Sequence, residues 1–393
     1  MSLPLEGIKI LDLSRYLPGP LCTQILADFG AEIIKVEQPK TGELGRQLGP
    51  FINEESSRFY TVNRNKKSIT LDLKKQEGKE IFKKIVTKFD VVVDQFRPGV
   101  MERMGLGYDT LKKINEGLIY CSLTGYGLDG PLRDAAGHDL NYLSLAGVTE
   151  QIGNCKGKPS ISGVQIADTA AGSLYSVIAI LLALASRQKT GKGQLCDVAM
   201  LDGSITLLAY ALGEWSGSKV LPERGNETLT GGYACYHIYE TKDEKYVSLG
   251  AVEGKFWAEF CERLDKNEYI KLQWNKEKQE DIIEDISSIL KEKTREEWVE
   301  FFSTSNICFT PVLNMEEMSN HPQVVARNMI TKLGNFKGSG KELVLTGVPI
   351  KLSDTPGEAK HIFPEIGEHT EQLLNSIGYS KNEIDELRKN SII

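Results

Sequence analysis

Short β-rich runs alternate with stretches of helical periodicity through the first 200 residues, and this alternation constrains the fold more than any other feature of the chain. Strands separated by helices join in parallel, with each helix crossing over a face of the sheet. The clearest strands are residues 7–13, 31–36, 90–96 and 118–123. Between them, residues 78–89 carry Ile81, Phe82, Ile85 and Val86 at helical spacing among lysines, so this segment covers one face of the sheet. A long helix is expected after residue 168, ending near Lys189, where Thr190-Gly191-Lys192-Gly193 stops it. The class is therefore α/β, with a mostly parallel sheet.

At 393 residues the chain exceeds the size at which one core keeps growing, so two domains are expected. Residues 224–232 are polar and glycine-rich. After them, 236–239 and 246–249 flank Thr241-Lys242-Asp243-Glu244-Lys245 as a hairpin. We place a larger domain at 1–217 with 330–393, and a smaller α+β domain at 218–329 that is helical and rich in Lys and Glu from 254 onward. The tail, with strand-like 343–345 and 348–350 and short helices near 369–379 and 382–390, is expected to pack back on the larger domain.

A formal net charge of -7 argues against a nucleic-acid partner, which would require a basic face. The longest apolar stretch, 175–185, falls short of the roughly 20 residues needed to span a bilayer, so a buried helix and no membrane association are expected. Seven cysteines without a C-x-x-C pair read as reduced thiols, and the opening Met1-Ser2-Leu3-Pro4-Leu5-Glu6 lacks a signal-peptide pattern. Both point to the cytoplasm. The five histidines show no metal-ligand spacing with those cysteines, so no metal is expected.

Three ionisable residues stand in small or apolar surroundings: Asp168 in Ile166-Ala167-Asp168-Thr169-Ala170-Ala171-Gly172, His138 in Ala136-Gly137-His138-Asp139-Leu140-Asn141-Tyr142, and Glu253 in Gly250-Ala251-Val252-Glu253. Asp168 would cap the long helix, because Asp accepts hydrogen bonds from free N–H groups at a helix start. The same place suits catalysis, since those N–H groups stabilise a developing oxyanion. A buried Glu253 would need a partner, and His138 could supply it, leaving the imidazole in one tautomer with Asp168 as the second acid/base. Gly125-Tyr126-Gly127-Leu128-Asp129-Gly130 fits G-x-G-x-x-G, but Pro131 and an irregular segment follow where a dinucleotide site requires a helix. Cations border the sheet in Asn63-Arg64-Asn65-Lys66-Lys67-Ser68, which leads into Ile69 to Lys74, and in Phe96-Arg97-Pro98-Gly99-Val100-Met101-Glu102-Arg103. Phosphate recognition and surface solvation account for them equally.

Pro4-Leu5-Glu6-Gly7-Ile8-Lys9, Gly30-Ala31-Glu32-Ile33-Ile34-Lys35-Val36-Glu37, Arg97-Pro98-Gly99, Thr190-Gly191-Lys192-Gly193-Gln194 and Gly367-Glu368-His369-Thr370 together resemble the class III CoA-transferase (CaiB/BaiF) family nearly end to end. The resemblance implies a Rossmann-like large domain made from both chain ends, a small domain between, and a homodimer of subunits interlinked like rings. It implies an acyl-CoA thioester as substrate and no cofactor. Asp168 matches an aspartate catalytic in both branches of the family, and Arg103 matches an arginine at the CoA site. Phe96, Arg97, Leu71, Asp72, Lys74, Gly137, Asp139 and Tyr142 are the further CoA and substrate candidates, with Gly231 and Gly232 in a small-domain loop. In the transferase branch the aspartate forms an anhydride and then an aspartyl-CoA thioester. In the racemase branch an Ala-Gly-His-Asp motif supplies a histidine opposite it and a Gly-Ala-Ile-Glu motif a supporting glutamate. The present chain resembles the racemases at 136–142 and, with Val252 for Ile, at 250–253. It departs from them in a fuller segment 45–63, in Gln38 where many relatives carry arginine, and in a loop, Thr230 to Cys235, with only two glycines. The expected activity is that of an acyl-CoA racemase or epimerase acting through a thioester enolate, with CoA transfer as the alternative. A non-catalytic acyl-CoA binder would have no need of His138, Asp168 and Glu253 together.

Overall fold

Six short runs form one parallel sheet: β1 (Lys9–Asp12), β2 (Glu32–Glu37), β3 (Lys66–Thr70), β4 (Val91–Asp94), β5 (Ile119–Thr124) and β6 (Leu195–Ala199), in the order β3-β2-β1-β4-β5-β6. Every residue of β4 and β5 is buried, as expected of central strands covered on both faces. The computed structural model describes residues 2–393 and divides the chain into two units. The larger comprises the chain up to Ala146, Val164–Leu207 and Pro322–Ile393; the smaller comprises Gly147–Gly163 and Leu208–His321.

Four of the six strands lie where the alternation predicts them. The exceptions are the two edge strands, β3, which begins Lys66-Lys67 and reads as a polar loop, and β6. Lys66 can be buried on this edge strand because its ammonium is ion-paired with Asp12 at 3.1 Å and donates to the carbonyl of Pro20 and to Asn63 Oδ1. A buried cation satisfied in this way leaves no local hydropathy signal of a strand.

Around the sheet, α1 (Pro18–Asp28) starts with proline, whose fixed φ suits a first helical turn. Helix α2 (Gln76–Val86) buries Ile81, Phe82, Ile85 and Val86 in a core shared with Leu11, Ile34 and Val92. The short α3 (Val100–Arg103) and α4 (Asp139–Leu145) follow β4 and β5, and α5 (Tyr175–Thr190) precedes β6. Leu374, Ile384 and Ile392 of the tail join the same core. The tail holds one of its two expected strands: Leu343–Thr346 pairs antiparallel with Ile330–Leu333, whereas 348–350 is irregular around Pro349, which has no N–H to donate.

Helix α5 is not the wholly buried element expected. Ala167–Thr190 is continuously helical for 24 residues and is long and apolar enough, by length and composition, to cross a membrane. Val177, Ile180, Ala183 and Leu184 are buried, while Leu174, Ile178, Leu181 and Leu182 form an exposed stripe at helical spacing.

In the smaller unit the expected hairpin is present as β7 (Tyr236–Glu240) and β8 (Tyr246–Gly250), with β9 (Phe309–Pro311) antiparallel to β8. Helices α6 (Gly254–Arg263), α7 (Gln279–Leu290) and α8 (Arg295–Phe302) close its core around Trp257, Phe260, Trp298 and Phe302. The unit boundaries differ from 217/218 and 329/330. Segment 147–163 joins the smaller unit because Arg224 donates to the carbonyls of Glu150 and Gly157, and 322–329 joins the larger because Gly347 donates to the carbonyl of Met329.

Candidate active site

The chain continues from β1 toward one edge of the sheet and from β4 toward the other, so the loops that follow these neighbouring strands part and leave a crevice at their C-terminal ends. Within the larger unit, Tyr16 and Pro18 after β1, Gln95 to Arg97 after β4, and Gly137, His138 and Tyr142 around the start of α4 enclose a cavity of about 650 Å3 together with Asp168. Gln95 ties the first two loops, since its Oε1 accepts from the N–H groups of Arg15 and Gly19, each at 3.3 Å. The carboxylate of Asp94 accepts from the N–H of Phe96 at 2.8 Å and turns the chain as the strand ends.

His138 immediately precedes α4 in extended conformation, and its N–H donates to Asn141 Oδ1 at 3.0 Å, half of a capping box. The ordinary helix-start role and a place in the crevice thus coexist. Tyr142 donates its hydroxyl to the carbonyl of Gly137 at 2.5 Å, fixing the residue before His138. Burial, then the charge of Asp168, pushes the Tyr142 hydroxyl up to about 12, so it remains a donor at neutral pH. Gly125 leaves room for the Tyr142 ring, with which any Cβ at 125 would overlap. The first glycine of the G-x-G-x-x-G string therefore serves an aromatic side chain.

Asp168 does not cap the helix. The helix begins at Ala167 after the apolar Ile166, which cannot cap it; Asp168 lies inside the helix, in a widened π-turn running from Ala167 to Leu174. Such turns are concentrated at functional sites. Its N–H donates to Asp139 Oδ1 at 3.0 Å, which ties the two candidate acid/base segments together. Burial chiefly, and the nearby charge of Asp139, push the Asp168 carboxyl up to about 6 against the lowering effect of His138. A carboxyl tuned near neutrality can both remove and return a proton.

Phe96, Arg97, Gly137, His138, Tyr142 and Asp168 are brought together; Asp139 joins through its bond to Asp168. Arg103 approaches the crevice beside Gly99. Leu71 is a core residue, 3% exposed, and Asp72 accepts from the N–H of Lys74 in a turn; none of the three lines the crevice. Glu253 lies in the smaller unit as the exposed residue before α6, so the burial cost expected to demand a partner does not arise. Gly231 and Gly232 border a separate cavity of about 1080 Å3 within that unit. Tyr16, Gln95, Arg133 and Met200 are crevice residues that the motifs did not mark. Only the positions of Tyr16 and Gln95 just beyond strands offered a signal.

A model of CoA-transferase family III matches residues 5–370. The chain is 34% identical over 394 residues to the alpha-methylacyl-CoA racemase of Homo sapiens, covering 99% of this chain and 97% of that one. It is also 34% identical to the succinyl-CoA:glutarate CoA-transferase of Homo sapiens, with 99% and 90% coverage. Among solved structures, a CaiB/BaiF family protein from Brucella suis superposes with a TM-score of 0.82 at 29% identity, over 96% of this chain and 100% of that one.

Proposed function

Because the chain belongs to CoA-transferase family III, whose members act on CoA thioesters, we propose that it is an acyl-CoA racemase or epimerase in which His138 and Asp168 exchange one proton at the carbon next to the thioester carbonyl. The observation that carries this reading is an imidazole and a carboxyl raised to about 6 in one crevice. One group removes the α-proton as the electron pair moves onto the thioester oxygen; the other returns a proton to the opposite face as the enolate collapses. Two subunits are expected to assemble, because the stripe Leu174, Ile178, Leu181 and Leu182 is exposed, and helix Ala209–Ser218, with Leu212 and Trp215, buries none of its residues within its own unit.

A CoA-transferase at equal identity supports a rival reading, in which the Asp168 carboxylate attacks the thioester carbonyl and expels CoA as thiolate. Deuterium uptake at the α-carbon of a 2-methylacyl-CoA, measured by mass spectrometry in deuterated water without an acceptor acid, separates the two. Racemisation predicts uptake that falls by about 10²–10⁴-fold in both Asp168→Asn and His138→Ala. No uptake, with CoA passed to an added carboxylic acid and a hydroxylamine-sensitive adduct at Asp168, establishes the rival.

A further inference from the structure

We infer that the hydroxyl of Tyr126 holds the oxygen of the acyl thioester as negative charge develops on it, a role that rests on the acyl-CoA reading above. Enolate formation needs a donor at that oxygen as well as a base at the α-carbon. The start of the Asp168 helix does not provide it: the Asp168 N–H is given to Asp139 and the Thr169 N–H to the carbonyl of Gln165, each at 3.0 Å. Arg97 and Arg133 line the crevice, yet the charges that bear on the Asp168 carboxyl are those of Asp139 and His138. What stands free beside His138 is a phenol.

Tyr126 stands just beyond β5 and lines the crevice with His138 and Asp168. Its turn is pinned on both sides: Gly127 donates its N–H to Thr124 Oγ1 at 2.9 Å, and the carbonyl of Gly125 accepts from the N–H of Leu201 at 3.0 Å. The ring packs edge-on against that of Tyr142, with 5.1 Å between centroids. A methyl group placed on Gly137 would lie 2.7 Å from the Tyr126 hydroxyl oxygen and 2.7 Å from the Tyr142 ring. Gly137 lacks the left-handed backbone that calls for glycine, so it is the space for these two side chains that excludes a Cβ. The two phenols differ in use. Tyr142 gives its hydroxyl proton to the Gly137 carbonyl, whereas the Tyr126 hydroxyl has no hydrogen-bond partner among the described residues. A free donor is thus held at the residue before His138 by a turn that is already fixed. As the α-proton passes to the base, the C–H electron pair forms the carbon–carbon double bond of the enolate and the carbonyl π pair moves onto oxygen. Tyr126 keeps its proton throughout and donates a hydrogen bond that strengthens with the charge on that oxygen.

Tyr126→Phe in the full-length protein tests the assignment, and because the hydroxyl has no protein partner to lose, the variant keeps the packing of the ring. For deuterium uptake by a 2-methylacyl-CoA, kcat is expected to fall about 10²-fold while KM rises only about threefold. Calorimetric titration should find binding weakened about threefold for a CoA thioester and unchanged for the CoA thioether that lacks the carbonyl oxygen. Equal weakening of thioester and thioether assigns Tyr126 to packing and overturns the proposal. Uptake and thioester binding both at wild-type values overturn it as well, and leave the racemase reading intact. A wild type that takes up no deuterium removes the racemase reading instead. A thioester-selective loss in the variant then still places the hydroxyl on the thioester oxygen, which also becomes an oxyanion when Asp168 attacks the carbonyl.

Discussion

Asp12 and Asp94 end adjacent strands of one sheet and are both buried, yet their surroundings set them to opposite protonation behaviour. Around Asp12, burial is outweighed by Lys35 and Lys66 and by hydrogen bonds from Ser14 and Thr23, and its carboxyl is held well below the usual carboxylate range. Asp94 is pushed by burial up to about 7: it accepts from the N–H of Phe96 and the hydroxyl of Tyr120, has Glu102 as a neighbouring like charge, and has only the weaker influence of Arg15 as a cation among the described residues. One side of the switch point is thus an ion-paired scaffold: Asp12 accepts from Ser14 N–H, Lys35 donates to the Ser14 carbonyl, and Glu43 accepts from Tyr16 N–H. The other side carries carboxyls poised near neutrality, Asp94 under the Phe96 turn and Asp168 in the crevice. The difference lies in the counter-ions, not in depth of burial.

Removing the carboxylate from the ionic side should have the largest effect. Asp12→Ala leaves Lys66 buried without its ion-pair partner and Lys35 with Glu43 alone, and is expected to lower the unfolding free energy by about 3–5 kcal/mol, read from urea denaturation. Next comes Asp94→Asn. In the wild type the folded state keeps the Asp94 proton between about pH 4 and 7 while the unfolded chain has lost it, so stability falls as pH rises through that window. The loss amounts to a few kcal/mol, and the asparagine variant should show a flatter profile over the same range. Asp12 acts with the opposite sign: its contribution is present above the unfolded carboxylate pKa and is lost as pH falls below it.

A smaller effect belongs to Asp168. In the reaction direction that uses its carboxylate as base, kcat/KM is expected to fall about tenfold per pH unit below about pH 6, and a profile flat down to pH 4 would contradict the raised carboxyl. The smallest is Tyr142→Phe, which removes the hydrogen bond to the Gly137 carbonyl at a cost of about 1 kcal/mol in stability. Its use here is comparative: a decrease in deuterium uptake much larger than the stability change would show that the hydroxyl positions His138.

The parts of the fold legible in the sequence are those written in consecutive side chains. Ile81, Phe82, Ile85 and Val86 mark a helix because its period returns them to one face, and Val91-Val92-Val93 marks a strand because every residue there is apolar. Strand β3 escaped because Lys66 is buried only by virtue of Asp12, 54 positions earlier. Likewise, Glu253 looked buried among small neighbours and is exposed, since local apolarity says nothing about what covers a residue. The motifs brought out His138 and Asp168, but not Arg133, which belongs to no local pattern.

By itself, the sequence determined the alternation of strands and helices, the family, and the residue types available for proton transfer, because each is carried by neighbouring residues or short strings. Tertiary structure alone decided the strand order that opens the crevice between β1 and β4 and the opposite states of Asp12 and Asp94. These depend on distances between groups far apart along the chain and on how much water remains beside each charge. Both quantities come into being only when the chain has folded.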